Sequence, residues 1–170
     1  MGYLKDSKCY LSAPIEGDDG PNWRPIVKDA LSKQFGIDVF DPFADPKQQK
    51  SAELVAAKEA EHYDEVARIV KAFVRKDLSE VDENHFLIAY LPYRVPTTGV
   101  VHEIINANDR KKPVILMCPK GKKFIPSWYF GFVPHNRMFG SWQDLYNYLQ
   151  EVDSGKHMED DRWAKVYKLI

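Results

Sequence analysis

Residues 85–119 read HFLIAYLPYRVPTTGVVHEIINANDRKKPVILMCP, and the reading of this stretch decides the fold. HFLIAYL (85–91) and PVILMCP (113–119) are nearly continuous apolar runs without alternation, the pattern of strands covered on both faces. Between them TTGVVHEIINANDRK (97–111) has the spacing of an amphipathic helix, with Val101, Ile104, Ile105 and Asn108 expected against the sheet and Glu103 at the border of that face. Strand, helix and strand in this order predict neighbouring parallel strands.

The flanks extend the pattern. Upstream, KCYLSAP (8–14) predicts a strand closed by Pro14, followed by the turn-rich EGDDGPN (16–22). Asn22 is placed to cap a helix over WRPIVKDALSKQF (23–35), whose apolar positions Ile26, Val27, Ala30, Leu31 and Phe35 share one face before Gly36 stops it. IDVFDP (37–42) predicts a second strand, ended by Pro42 and Pro46. From about Gln48 to Val81 the chain is charged and Ala-rich, without Gly or Pro, which predicts one long helix or two joined by a bend. Downstream, SWQDLYNYLQEV (141–152) predicts an amphipathic helix, whereas the aromatic FIPSWYFGFVPHNRMFG (124–140) is broken by Pro and Gly and defines no single element. The tail from about residue 152, ending DRWAKVYKLI, is expected to dock on the body or on a neighbouring subunit.

This alternation indicates an α/β chain with a flavodoxin- or Rossmann-like parallel sheet of about five strands, helices on both faces, and one domain spanning residues 1–170. In such sheets ligands sit beyond the carboxyl ends of the strands, where strand order switches. That rule selects four loops: SAPIEGDDG (12–20), DPFADP (41–46), LPYRVPTTG (91–99) and PKGKK (119–123).

Composition excludes other classes. The 24 Lys and Arg against 25 Asp and Glu give a net charge of −1, so no overall field points to a nucleic-acid polymer or an anionic membrane surface. No apolar run reaches the length of a membrane span, and MGYLKDSK lacks the apolar core of a signal peptide, so a cytoplasmic protein is expected. Cys9 and Cys118 sit in apolar runs, as buried reduced thiols do. No His/Cys pair stands at ligand spacing, and neither glycine-rich loop matches a phosphate-binding motif, so neither metal nor cofactor is expected.

Two carboxylates stand out. Glu103 lies early in the helix that leaves the third strand and could reach the cleft, or it could simply complement the helix dipole. Asp77 precedes the third strand by about two helical turns, and its own helix allows either a cleft position or a solvated one.

KCYLSAPIEG, KDLSEVDENHFLIAYL and TTGVVHEIINANDRKKPVIL, in this order over residues 7–118, resemble the nucleoside 2-deoxyribosyltransferase family and the related deoxynucleotide N-glycosidases. The resemblance implies that Glu103 attacks the anomeric carbon and forms a glycosyl enzyme, that Asp77 protonates the departing nucleobase, and that Tyr10 orients the Glu103 carboxylate. It further implies substrate contacts at Gly99 and Thr97, at Ala13 and Asp41 in the first two loops, and at Asn136, which a neighbouring subunit would supply. The implied partners are a nucleoside or nucleotide and a free nucleobase, and a homo-oligomer is expected. Such chemistry needs one ionised carboxylate at the anomeric carbon and one acid at the leaving group, a division that apolar burial of the acid and hydrogen bonds to the nucleophile would create. The chain departs from the pattern in two places. Glu16 stands where nucleotide-cleaving relatives carry an Arg, which favours nucleosides unless Arg94 or Lys120 binds the phosphate; Thr97 is neutral where many transferases have an acid. Hydrolysis in place of transfer, and a non-catalytic nucleotide sensor on the same fold, remain open at this level.

Overall fold

The computed structural model describes residues 2–14, 23–44 and 51–169. Its strands are β1 (Lys8–Ser12), β2 (Asp38–Phe40), β3 (Phe86–Tyr90), β4 (Val114–Met117) and β5 (Met138–Phe139), and its helices are α1 (Trp23–Phe35), α2 (Ser51–Glu59), α3 (Tyr63–Glu83), α4 (Thr98–Asp109), α5 (Trp142–Asp153) and α6 (Asp161–Leu169). The strands form one all-parallel sheet in the order β2-β1-β3-β4-β5. This is the flavodoxin-like strand order, with its switch point between β1 and β3.

Alternation along each strand builds two cores. Cys9, Leu11, Phe86, Ile88, Tyr90, Ile115 and Met117 face one side, where they meet Val27, Leu31 and Phe35 of α1, Leu145, Leu149 and Val152 of α5, and Trp163 and Val166 of α6. Tyr10, Leu87, Ala89, Val114 and Leu116 face the other side, against Val81 of α3 and Val100, Ile104 and Ala107 of α4. Period-two side chains thus explain why both runs at the centre of the sequence are apolar throughout.

The sheet and its layers follow the sequence, but two helix faces do not. Helix α1 buries Arg24, Val27, Leu31 and Phe35, while Ile26 is 69% exposed; the buried stripe begins with a charge because Arg24 finds a carboxylate partner. Helix α4 buries Val100, Glu103, Ile104 and Ala107. Ile105 is 44% exposed, so Glu103 lies in the middle of the buried face and not at its border.

The charged segment before β3 forms two helices. His62 N–H donates to the Ala57 carbonyl and Glu61 N–H to the Lys58 carbonyl, with Glu61 at φ 57°, a left-handed cap that ends α2 without glycine. Asn22 and the EGDDG loop lie outside the described residues. The aromatic segment makes three short helical turns and then β5; Ile125, Tyr129 and Val133 pin it to the core. Helix α6 packs on the chain's own body: Trp163 Nε1 donates to Tyr148 Oη (2.7 Å) and Arg162 donates to the Lys112 carbonyl and Asn108 Oδ1 (2.8 Å each). Among the described residues no helix is long and apolar enough to cross a membrane.

Candidate active site

Tyr10 and Ser12 are two residues apart on β1, so their side chains leave the same face of the sheet. That face is covered by α3 and α4. Glu103 leans from the second turn of α4 toward the helix start, as helical side chains do, and so toward the carboxyl ends of β1 and β3. There Tyr10 Oη donates to Glu103 Oε1 (2.9 Å) and Ser12 Oγ donates to Oε2. Each carboxylate oxygen carries one hydroxyl, and Glu103 is only 8% exposed. The solvated-helix alternative for this residue is therefore excluded.

A buried carboxylate pays for lost hydration. Burial pushes the Glu103 pKa up from 4.5 to about 7, against the pull of the Ser12 and Tyr10 hydrogen bonds and the Arg24 charge, while the Asp77 charge adds to the rise. Glu103, to which the resemblance assigns the nucleophile's role, is thereby poised near neutrality. Burial, followed by the charges of Glu103 and Asp77, also pushes the Tyr10 hydroxyl well above its usual range, so it acts as a donor and not as an acid. Asp77, partly exposed on α3, thus stands within electrostatic reach of both Tyr10 and Glu103. Tyr10 and Glu103 are thus joined by a hydrogen bond, with Asp77 acting on both through its charge.

The other candidates divide. Thr97 precedes α4 without a capping hydrogen bond from its side chain. Gly99 is in the first turn, and a Cβ built on it meets nothing within 4 Å, so open space lies beside that turn. Thr97 also lines a cleft of about 200 Å³ with Tyr93, Arg94, Cys118, Phe124 and Tyr129. Ala13 and Asp41 meet at Arg24, a buried guanidinium that donates to Asp41 Oδ1 (2.8 Å) and to the Ala13 and Pro14 carbonyls (3.3 and 3.2 Å). In this arrangement Asp41 serves the scaffold, and it also accepts from the Phe43 N–H (3.0 Å). Asn136 is exposed in the turn His135–Arg137 before β5, a turn whose last residue, Arg137, is buried. The turn leads into β5, the edge strand, which β3 and β4 separate from β1 and so from the Tyr10 and Ser12 hydroxyls on Glu103. Glu16 lies outside the described residues.

Two residues of the cluster have only faint sequence signals. Ser12 could have been found from its i+2 spacing to Tyr10 on a strand. Arg24 interrupts an apolar stripe, but nothing local announces Asp41 as its partner. A second cavity of about 320 Å³, lined by His85, Arg110, Lys111, Arg162 and others, lies at the opposite end of the sheet. Among the described residues no group of three or more His, Cys, Asp or Glu could hold a metal ion.

No protein-family model and no curated protein matches the chain. Among solved structures it is similar to that of the 2-deoxyribosyltransferase from the psychrotolerant bacterium Bacillus psychrosaccharolyticus, with a TM-score of 0.58 and 20% identity over 84% of this chain and 92% of that one. The likeness is one of fold.

Proposed function

We propose that the chain is a nucleoside 2-deoxyribosyltransferase-like enzyme that moves 2-deoxyribose between nucleobases. The observation that carries this reading is the buried Glu103 carboxylate, held by one hydroxyl on each oxygen, at the switch point of the sheet and within reach of the Asp77 charge. A residue serving only solubility or a helix dipole would not be buried at the cost of a pKa near 7.

In the first half-reaction a Glu103 oxygen bonds to the anomeric carbon as the C–N bond breaks, and the electron pair leaves with the base, which takes a proton from Asp77. In the second, an incoming base attacks the same carbon, the ester bond to Glu103 breaks, and Asp77 recovers the proton. Two displacements retain configuration. Thr97 and the open space beside Gly99 would receive the substrate at the start of α4, and no cofactor is required. Family membership, the small-molecule partners and a homo-oligomeric state belong to the same proposal.

The test is direct. The protein is incubated with 2′-deoxynucleosides, then with deoxynucleoside monophosphates, each with and without a second free base, and products are resolved by chromatography. A new nucleoside supports transfer, whereas free base alone assigns hydrolysis. Absence of turnover together with ligand binding unchanged by Glu103→Ala would overturn the enzymatic reading in favour of a binding protein.

A further inference from the structure

We infer that Ser12 is a positioning residue of this site: its hydroxyl fixes the Glu103 oxygen that Tyr10 leaves free, so the carboxylate is held at both ends. The catalytic consequence rests on the reading of Glu103 as nucleophile, but the contact itself does not.

Geometry supports the assignment. Ser12 is the last residue of β1, pairs with Ala89 and is fully buried. The torsion that turns a glutamate carboxyl is broad and roughly two-fold, so a single donor leaves the group able to pivot. Tyr10 on Oε1 and Ser12 on Oε2 remove that freedom. The remaining lone pair on each oxygen is then held in a set direction. The groups facing Glu103 are Tyr10 and Ser12 from β1, Asp77 from α3 and Arg24 from α1, with Glu80 of α3 acting on Tyr10. Of those that favour the ionised form, Ser12 acts most strongly and Tyr10 next.

A donor to the charged form also matters in both chemical steps. Forming the bond to the anomeric carbon consumes the carboxylate charge, and breaking that bond restores it. Ser12 therefore stabilises the leaving carboxylate in the second step while keeping a usable fraction ionised for the first. A charge-assisted hydrogen bond of ordinary strength corresponds to roughly one to two pH units on the group that accepts it.

The experiment uses the full chain with ¹³C-labelled glutamate, in wild type, Ser12→Ala and Ser12→Thr, with the Glu103 signal identified by its loss in Glu103→Gln. Carboxyl titrations are followed by NMR, and the pH profile of kcat/KM is measured with the deoxynucleoside that the wild type turns over. In Ser12→Ala the Glu103 midpoint and the acid limb both rise by roughly one to two pH units, and Ser12→Thr, which keeps the hydroxyl, returns both toward wild type. An unmoved midpoint in folded Ser12→Ala, or a folded Ser12→Thr that titrates like the alanine variant, overturns the assignment. Should the alanine variant fail to fold, Ser12→Cys supplies a weaker donor; an intermediate midpoint supports the assignment and a wild-type midpoint overturns it. A wild type without turnover would overturn the proposed function, while the titration would still decide for or against Ser12.

Discussion

At the scale of single residues, Glu103 and Gly99 both carry costs that the fold alone does not repay. Glu103 titrates near 4.5 when unfolded and about 7 when folded, so between those values the native state holds a proton that the unfolded state has released. Native stability relative to a neutral side chain is complete below about pH 4.5 and falls as pH rises through 7, by about 3 kcal/mol at most. Glu103→Gln should therefore melt at a higher temperature than wild type at pH 8, with the difference vanishing near pH 4, as thermal denaturation across pH will show. The same variant should lose turnover by at least a hundredfold, because an amide is a far poorer nucleophile than a carboxylate. Gly99 makes a parallel case. An exposed helix glycine with nothing near its missing Cβ costs roughly 0.5–1 kcal/mol relative to alanine. Gly99→Ala should raise stability in urea denaturation and, if substrate approaches this backbone, raise KM several-fold; a stabilised variant with unchanged KM would remove Gly99 from the site.

At the scale of elements, helix ends and helix faces obey different rules. Lys111 ends α4 at φ 60°, with Lys112 N–H donating to the Ala107 carbonyl and Lys111 N–H to the Asn108 carbonyl. That is a Schellman-type cap with a side chain where glycine is preferred. Lys111→Gly should stabilise the protein by roughly 0.5–1 kcal/mol, whereas Lys111→Ala, which keeps the left-handed strain, should not; paired chemical denaturation separates them. Strands β3 and β4 and the helix between them were legible because their apolar runs are long and their interruptions few. The buried faces of α1 and α4 were not, since Arg24 and Glu103 are buried by partners 17 and 91 to 93 residues away in the chain. Hydrophobic periodicity counts a charge as exposed and so turned both helices toward Ile26 and Ile105. The break between α2 and α3 was left open in the sequence for a related reason: Glu61 adopts a glycine conformation without being glycine. For the site, Tyr10, Asp77 and Glu103 could be proposed from motif order, whereas Ser12 emerges only when β1 and α4 are placed face to face.

At the scale of the whole molecule, the sheet separates what stabilises from what is proposed to react. Glu103 meets Tyr10 and Ser12 toward the carboxyl end of β1, with Asp77 in electrostatic range, while α6 closes the core on the opposite face. Trp163 is fully buried, with its ring 5.2 Å from that of Phe86, the first residue of β3. Its N–H is satisfied by Tyr148 and its neighbour Arg162 ties α6 to the end of α4. The sequence led to the expectation that the tail ending DRWAKVYKLI docks on the body or on a neighbouring subunit; its helical form and the surface it meets, the chain's own, emerge only in the assembled core. Trp163→Ala removes a large ring and deprives the Tyr148 hydroxyl of one of its donors, which should cost about 3–5 kcal/mol and lower the melting temperature by roughly 10 °C. Because Trp163 and the Tyr10–Glu103 pair lie on opposite faces of the sheet, kcat measured below that melting temperature should stay within about twofold of wild type, additivity being the rule for sites without shared partners. A loss of kcat in a variant shown by circular dichroism to be folded would mean that the two faces are coupled through β1 and β3. In that case the carboxyl-end cluster would depend on the packing beneath it as well as on its own hydrogen bonds.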